Sequence, residues 1–364
     1  MNYIKQNIPY ISVAFANRND NYGGELSLRI ERFIDYYEPF VKADPDLFEF
    51  IICDWNPPAD KPSLRKGFEW NRLGNVVHLE VSEPIHKQYS ADSDFPIMDY
   101  TARNAAIRRS KGDFCLILNH DIYVSKSIID VLMQRNLDKN SFYRADRVDY
   151  DFTESKIAAS EELEKLALKN AFLVCRKHSS NHSLISNEYN VSLGDKYFST
   201  PETGDLIDQN ENSIISVSAN NYRDICLEEI KSGTFEANHL DHDLYQQFYL
   251  HTNASGDFIL APKEAFFKIQ GLIETSKFYM HLDGYGIFQL FAAGYTQRVF
   301  QYPHMIFHAD HDRSARADRR EGMTYEEHKD AFSKILTNQL SYKLNDSNWG
   351  LAKYDIFCKE DIDE

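Results

Sequence analysis

The chain has 364 residues, of which 43% are hydrophobic and 26% are charged. This length and composition are typical of a globular protein with one large domain or two lobes and an ample core. The formal net charge is -16, and no block of lysines or arginines occurs, so the sequence argues against a nucleic-acid partner. A protein this acidic needs a metal ion or a local basic pocket to handle an anionic substrate.

The sequence gives no sign of export or membrane insertion. Residues 1–10 lack the basic and apolar regions of a signal peptide, and no apolar run reaches the length of a transmembrane segment. The cysteines are scattered and form no CxxC pair; they are Cys53, Cys115, Cys175, Cys226 and Cys358. Because such usage favours a reducing compartment, we expect a soluble, cytoplasmic protein without a transmembrane segment.

The first 125 residues alternate apolar strands with helices. We predict strands at 10–16, 48–53, 76–81 and 114–118, and helices at 25–37 and 99–110. This order is typical of one nucleotide-binding half of a doubly wound α/β sheet. The chain contains neither GxGxxG nor a P-loop motif, so neither fingerprint explains the pattern.

The second half has weaker signals. Residues 141–251 read as less regular, with one helix at 154–170 and loops across the Ser-, Asn-, Asp- and Gly-rich stretch 179–221. Regular patterns return as a strand at 258–261, helices at 263–270 and 287–293, and a strand at 298–308. The tail, 324–364, contains one amphipathic helix and an acidic end.

The strand at 114–118 ends in three polar residues, Asn119, His120 and Asp121. In an open α/β sheet, ligands bind beyond the carboxyl ends of the strands, which would place Asp121 at the ligand-binding edge. The alternative is structural, because Asn119 or Asp121 could cap the helix predicted at 125–135.

Together these features resemble the GT-A fold glycosyltransferases, specifically the family-2-like enzymes that use nucleotide sugars. In the first half the resemblance rests on strands ending in Asn17 and Asp54, an Ala102-Arg103-Asn104 helix, a Lys111-Gly112-Asp113 turn and the Asn119-His120-Asp121 triplet. In the second half it rests on Asn253-Ala254-Ser255-Gly256-Asp257-Phe258, His281-Leu282-Asp283 and Ile306-Phe307-His308-Ala309-Asp310-His311, which look like a bacterial branch. It covers roughly residues 10–315.

The resemblance implies an α/β fold with a GT-A-like, Rossmann-type mixed sheet flanked by helices and followed by a helical C-terminal tail. It implies a nucleotide-sugar-binding half (1–125), an acceptor-binding half of the same unit (126–320) and the tail (321–364). The implied activity is metal-dependent transfer of a sugar from a nucleoside diphosphate sugar, a UDP-sugar in first place, to a saccharide acceptor of a surface polysaccharide or glycoconjugate. Two alternatives stay open: a non-catalytic sugar- or nucleotide-binding protein, and a sugar nucleotidyltransferase.

The resemblance also implies a donor site. Its residues are Asn17, Asp54, Arg103, Asn119 and His120. The alternative for Asp54 is a turn-forming role before Pro57 and Pro58, and the alternative for Arg103 is a solvated charge on its helix.

A Mn²⁺ or Mg²⁺ site is implied by the same resemblance. Asp121 matches the last carboxylate of the family's Asp-x-Asp motif, whereas Asn119 replaces the first. His308 and His311 would supply ligands from downstream, and an imidazole pairs better with Mn²⁺ than with Mg²⁺. A zinc site built on His304 and His308 is the rival interpretation.

The resemblance assigns catalysis to Asp283. In inverting members this carboxylate takes the proton from the acceptor hydroxyl, and the resemblance favours inversion here. In a retaining enzyme Asp283 would only position the acceptor. Gly256 and Asp257 are implied contacts of the donor sugar or acceptor, although Asp257 could equally be a turn residue at the start of a strand.

Overall fold

The computed structural model describes residues 8–90, 93–150, 160–175, 180–182, 214–217, 250–276, 282–311, 327, 330–331, 334–335 and 338–358. Its helices are α1 (Leu26–Ala43), α2 (Leu64–Gly67), α3 (Glu83–Tyr89), α4 (Asp99–Arg108), α5 (Lys126–Met133), α6 (Ser160–Lys169), α7 (Lys263–Ile269) and α8 (Leu282–Ala292). Its strands are β1 (Ile11–Asn17), β2 (Phe48–Trp55), β3 (Val76–Val81), β4 (Phe114–Ile117), β5 (Ile122–Val124), β6 (Ser141–Tyr150), β7 (Ala171–Cys175), β8 (Ser180–His182), β9 (Ile214–Val217), β10 (Ile259–Pro262) and β11 (Thr296–Ala309).

The described strands form one 11-stranded mixed sheet whose main order is β3-β2-β1-β4-β10-β6-β11-β5. The first four strands are parallel to one another. Strand β10 is antiparallel to both of its neighbours, whereas β6 and β11 are parallel. The predicted α/β class, with a mixed sheet flanked by helices, is confirmed.

The chain reverses its direction of winding at β1. Strand β1 pairs with β2 on one side and with β4 on the other, so the connections after β1 and after β3 run to opposite sides. The crevice at the carboxyl ends of two such strands is where open α/β sheets bind ligands. Asn17 is the last residue of β1, and Asn119 to Asp121 follow β4 directly.

Both faces of the sheet are buried, which explains the unbroken apolar runs of its central strands. On β1, Ala14 joins the core cluster under α4, α7 and α8, whereas Val13 and Phe15 join the cluster under α1 and α5. The sheet is therefore fixed from both sides, and its carboxyl edge stays open for a ligand.

The two predicted halves share one sheet. Strand β10, from the second half, pairs with β4 of the first, and β5, from the first, pairs with β11 of the second. The prediction of an irregular stretch from residue 141 is wrong at its start, because residues 141–150 form β6. Its charged side chains are satisfied internally: buried Arg144 donates to the carbonyls of His251 and Asn253.

Other boundaries also differ from the predictions. The stretch 179–221 is not entirely loop, because it contains β8 and β9, and β9 pairs with β11; the rest lies outside the described residues. Helix α8 begins at Leu282 rather than at 287, which places Asp283 in its first turn. No helix within the described residues is long and apolar enough to cross a membrane.

The tail packs onto the rest of the fold. Residues 327, 330–331 and 334–335 are helical, and 338–358 follow as turns and bends. The Arg109 guanidinium donates to the carbonyls of Gly350, Leu351 and Tyr354 at 2.8–3.1 Å. The predicted acidic end, 359–364, lies outside the described residues.

We expect Gly112→Ala to lower the free energy of unfolding by about 2 kcal/mol, the usual scale of overpacking. A Cβ at Gly112 would lie 2.7 Å from the backbone nitrogen of Ser12. Urea denaturation followed by circular dichroism measures the change. Gly67→Ala is the control, because its Cβ would meet only Pro62 at 3.7 Å and Asn19 at 3.9 Å; equal losses in both variants would contradict the argument.

Candidate metal and ligand site

A cavity of about 140 Å³ lies at the carboxyl ends of β1 and β4. We call it the central cavity. Its wall combines residues from both halves of the chain, among them Asn17, Arg103, Asn119, Asp121, Asp257 and His308. The structure therefore brings most of the sequence-predicted site residues together at the crevice where the sheet topology places a ligand.

Asp121, His308 and His311 form a compact group in this cavity. One ligand atom from each lies within 4.8 Å of the others, so the group could hold a metal ion. The Oδ2 atom of Asp121 accepts from Arg29 at 3.0 Å and lies 3.3 Å from Nε2 of His311. Its Oδ1 atom is buried and has no hydrogen-bond partner within the described part of the chain. A buried carboxylate oxygen without a partner is costly, and a bound cation would satisfy it.

The surroundings of His308 also fit a metal-binding group. Its Nδ1 lies 3.4 Å from Oδ2 of the fully buried Asp149. Metal-binding histidines usually turn one ring nitrogen to a carboxylate and the other to the metal. With Nδ1 turned to Asp149, Nε2 is the nitrogen of His308 that could bind a metal ion. His304 does not belong to the group among the described residues, so the rival pairing of His304 with His308 gains no support.

The imidazole of His311 lies close against the backbone of Gly23. A Cβ on Gly23 would lie 2.6 Å from Nδ1 of His311 and 3.0 Å from the Arg29 guanidinium. Gly23 also has φ +76°, a conformation that favours glycine. The loop after β1 can therefore contact the imidazole only because this position has no side chain.

The charges around Asp121 keep its carboxylate ionised. Burial alone would raise the pKa of Asp121, but the imidazoles of His120, His308 and His311 and the Arg29 guanidinium lower it below its ordinary value. Burial lowers the pKa of His120 to about 3, so this ring is neutral at neutral pH. Its Nδ1 lies 2.9 Å from the Asn17 amide, which orients it beside the carboxylate.

Asn119 is held on both sides. Its Oδ1 accepts from Arg103 at 2.6 Å, and its Nδ2 donates to Oδ1 of Asp257 at 2.6 Å. Arg103 is only 3% exposed and also bonds Asp99 and the carbonyl of Gly256. The solvated-charge alternative for Arg103 is therefore wrong.

The same network reaches the metal-binding group. Arg147 on β6 forms ion pairs with Asp257 and with Asp149, and Asp149 is the partner of His308. A continuous series of contacts therefore begins at Arg103 and ends at His308. Its intermediate members are Asn119, Asp257, Arg147 and Asp149. The interpretation of Asp257 as a mere turn residue does not account for these contacts.

The lining of the central cavity is formally neutral before any metal is counted. Four arginines face four aspartates; they are Arg18, Arg29, Arg103 and Arg147 with Asp20, Asp99, Asp121 and Asp257. Each arginine is within ion-pair distance of one of these aspartates. The lining therefore supplies oriented N–H donors without an excess of positive charge.

Three predicted residues, Asp54, Gly256 and Asp283, do not line the central cavity. The Asp54 carboxylate is buried and accepts from the backbone N–H of Leu64 at 2.7 Å, which is the contact expected of its structural alternative. Asp283 accepts from the backbone N–H of Gly256 at 2.9 Å. The carbonyl of Gly256 accepts from Arg103, so a single residue separates Asp283 from the cavity wall.

The capping alternative for Asn119 and Asp121 is wrong. Helix α5 begins at Lys126, and its cap is Ser125, whose hydroxyl accepts from the N–H of Ile128. Sequence reasoning missed Arg29, Arg147 and Asp149. Arg29 lies in a helix that the hydrophobic pattern predicted. Its buried position in that helix was the only signal that could have identified it as a site residue. The other two lie in the missed strand β6.

No protein-family model matches the chain, and no curated protein matches its sequence. The function of the site must therefore be argued from its own geometry and chemistry.

We expect Gly23→Ala to weaken Mn²⁺ binding by about 10- to 100-fold, the usual effect of disturbing the support of a metal ligand. The added methyl group would displace His311. Isothermal titration of the metal-free full chain measures the affinity. Gly24→Ala is the matched control, because Gly24 has φ +72° but nothing within 4 Å of its Cβ. Equal loss in both variants would show that backbone strain, and not contact with His311, causes the effect.

We expect Asp54→Asn to remove part of the pH dependence of stability. Burial raises the pKa of Asp54 from 3.8 to about 7. Because the folded state then binds the proton more tightly, this group's contribution is present at low pH and is lost as pH rises from about 4 to about 7. Urea denaturation across this range should show the stability of the variant rising relative to that of the wild type, by at most about 1.4 kcal/mol per pH unit. Parallel stability curves would contradict the assignment.

Proposed function

We propose that the protein is a metal-dependent glycosyltransferase that moves a sugar from a nucleoside diphosphate donor to a saccharide acceptor. The observation that carries this proposal is the group formed by Asp121, His308 and His311. It lies beside four arginines in the crevice where the winding of the sheet reverses. A cation at this place would meet a diphosphate held by the surrounding N–H groups. UDP-sugars are the first donors to test.

The charge balance supports a role for the metal. The lining is neutral in a protein of net charge -16, so its formal charge does not attract a diphosphate. A divalent cation would add two positive charges at the diphosphate and stabilise the charge that develops on the leaving group. Two imidazoles and a carboxylate favour Mn²⁺, Fe²⁺ or Zn²⁺ over Mg²⁺, and we propose Mn²⁺.

Other residues of the central cavity have separate roles in binding the donor. Arg103 and Arg147 line the cavity with guanidinium groups already oriented by aspartates, so they bind a diphosphate with little rearrangement. Asn17 and His120 lie between the carboxyl ends of β1 and β4, where a nucleoside would rest. Asp257 holds Asn119 and Arg147, and we assign it to the sugar side of the cavity.

We assign the proton acceptor to Asp283. Its Oδ2 accepts from the Gly256 N–H at 2.9 Å, and the carbonyl of the same Gly256 accepts from Arg103 of the first half. In this role it removes the proton of the acceptor hydroxyl as that oxygen attacks the sugar, and inversion follows from direct displacement. Asp283 does not line the central cavity, and this observation favours the alternative of a non-catalytic sugar- or nucleotide-binding protein.

The thiols are compatible with a cytoplasmic location for this activity. Among the described residues the cysteines Cys53 and Cys115 are free. Free thiols are typical of proteins in a reducing compartment.

A thermal-shift panel of UDP-, GDP-, CDP- and TDP-sugars, each with and without Mn²⁺, tests the proposal. Ligand binding raises the melting temperature by mass action, so we expect one nucleotide class to stabilise the protein only when the metal is present. Stabilisation without metal would contradict the role of the metal group. No stabilisation by any donor would contradict the glycosyltransferase proposal.

Asp283→Asn separates binding from catalysis. We expect this variant to keep metal-dependent donor binding and to lose about 10²–10⁴-fold of its turnover of the stabilising donor, the usual contribution of a general base. Release of the nucleoside diphosphate measures turnover. Full turnover in Asp283→Asn would exclude Asp283 as the base. Donor binding without turnover in the wild type would favour the non-catalytic alternative.

A further inference from the structure

A second cavity, of about 540 Å³, lies between the C-terminal tail and the start of α4. We call it the tail cavity. Its walls come from the end of α3, the start of α4, the stretch 274–276 and tail residues 344–353. Its volume is in the range of ligand-binding pockets, and it shares no lining residue with the central cavity.

The wall formed by the tail is held firmly. The N–H of Gly350 donates to Oε1 of Glu274 at 2.7 Å, and the same oxygen accepts from the Asn104 amide at 2.8 Å. The Asn345 amide donates to the carbonyl of Leu272 at 2.6 Å. These contacts, together with those of Arg109, fix the wall before any ligand arrives, which lowers the entropic cost of binding.

The chemistry of the tail cavity suits a neutral ligand rich in hydroxyl groups. Its wall includes amides, hydroxyls and a phenol, among them those of Gln88, Tyr89, Thr275, Ser276 and Asn348. The charged side chains are two carboxylates and one lysine, so the formal charge disfavours an anion. Gln88 accepts from the Tyr354 hydroxyl at 2.6 Å, which leaves its NH₂ group as the end that donates to a ligand.

Tyr89 adds an aromatic surface. It is half-buried, and burial raises the pKa of its phenol to about 12, so the hydroxyl stays protonated at neutral pH. An aromatic ring with a polar tip can pack against an apolar ligand face and hydrogen-bond at its edge. A sugar ring offers both, with C–H groups on its face and hydroxyls at its rim.

A third, small hollow of about 10 Å³, room for about one water molecule, lies between the two cavities. Its lining includes Ile97 and Asp99, which also line the central cavity, and Met98, Thr101 and Thr275, which also line the tail cavity. The three hollows therefore adjoin one another along residues 95–101. The small hollow also touches Leu282, the residue before Asp283.

We propose that the tail cavity is a distal subsite for a neutral oligosaccharide, whose near end reaches the boundary of the central cavity. That this oligosaccharide is the remote part of the acceptor rests on the proposed function. Saccharide binding by the tail cavity does not depend on the proposed function. This subsite would make the enzyme prefer a chain of several sugars over a single sugar as its acceptor.

An array of immobilised neutral hexasaccharides and disaccharides of glucose, mannose, galactose and N-acetylglucosamine, with sulfated counterparts beside them, tests the subsite on the full chain. The blocking variant is Asn348→Trp, which places a large side chain at an exposed position of the cavity wall. The matched control is Ser347→Trp, one residue away, exposed and outside the lining. Melting temperatures verify that both variants are folded.

We expect the wild type and Ser347→Trp to bind at least one neutral hexasaccharide more tightly than its disaccharide, and Asn348→Trp to lose about tenfold in affinity. Metal-dependent donor binding should be equal in all three proteins. No binding to any neutral hexasaccharide, binding only to sulfated ones, or full binding by Asn348→Trp would each overturn the subsite. Failure of donor binding with the oligosaccharide pattern intact would instead overturn the proposed function.

Discussion

The buried ion pair between Arg29 and Asp121 is the constraint on which the site depends. It joins α1 to the residue that follows β4, with 3.0 Å between Nη1 and Oδ2. Arg29 also donates to the carbonyls of Tyr22 and Gly24, so the same side chain fixes the loop that seats His311. Removing one partner of such a pair costs about 3–5 kcal/mol because the other charge stays buried. The pair occupies one carboxylate oxygen and leaves the other for a cation.

A second network joins the two halves of the chain. It runs from Arg103 through Asn119, Asp257, Arg147 and Asp149 to His308. It gives a physical reason for an asparagine, and not an aspartate, at position 119. The Asn119 amide donates to Asp257, whereas an aspartate would place two carboxylates against each other. We infer that residue 119 organises the site and that Asp121 alone of the triplet contributes a ligand oxygen.

The fold was predictable from sequence where burial produces a simple pattern. Strands β1, β2 and β4 are apolar on both faces because helices cover both faces, and polar residues at their ends mark the ligand-binding edge. Strand β6 was not predictable in this way. Arg144, Arg147 and Asp149 look like surface residues, but Arg144 and Asp149 are buried, Arg147 is partly buried, and all three are paired with groups distant in sequence. A single sequence does not reveal which carbonyls and carboxylates will meet those charges.

The residues of the candidate site also fall into those that could be predicted from the sequence and those that could not. Asp121, His308 and His311 were predicted together, since each closes a strand or belongs to a short motif. Arg29, Gly23 and the tail cavity were missed, because their importance arises only from contacts between segments distant in the sequence. Asp54 is a different case: it was predicted as a ligand contact from its place at the end of a strand, and the structure shows its carboxylate accepting from the N–H of Leu64.

The central claim is that a metal ion binds between Asp121 and the two histidines. Crystals of the full chain grown with Mn²⁺ and UDP, measured at the manganese absorption edge, test it most directly. The account predicts an anomalous peak bonded to Oδ1 of Asp121, His308 and His311, with the diphosphate beside it. Ordered UDP without such a peak, or a peak bonded to other residues, would contradict it.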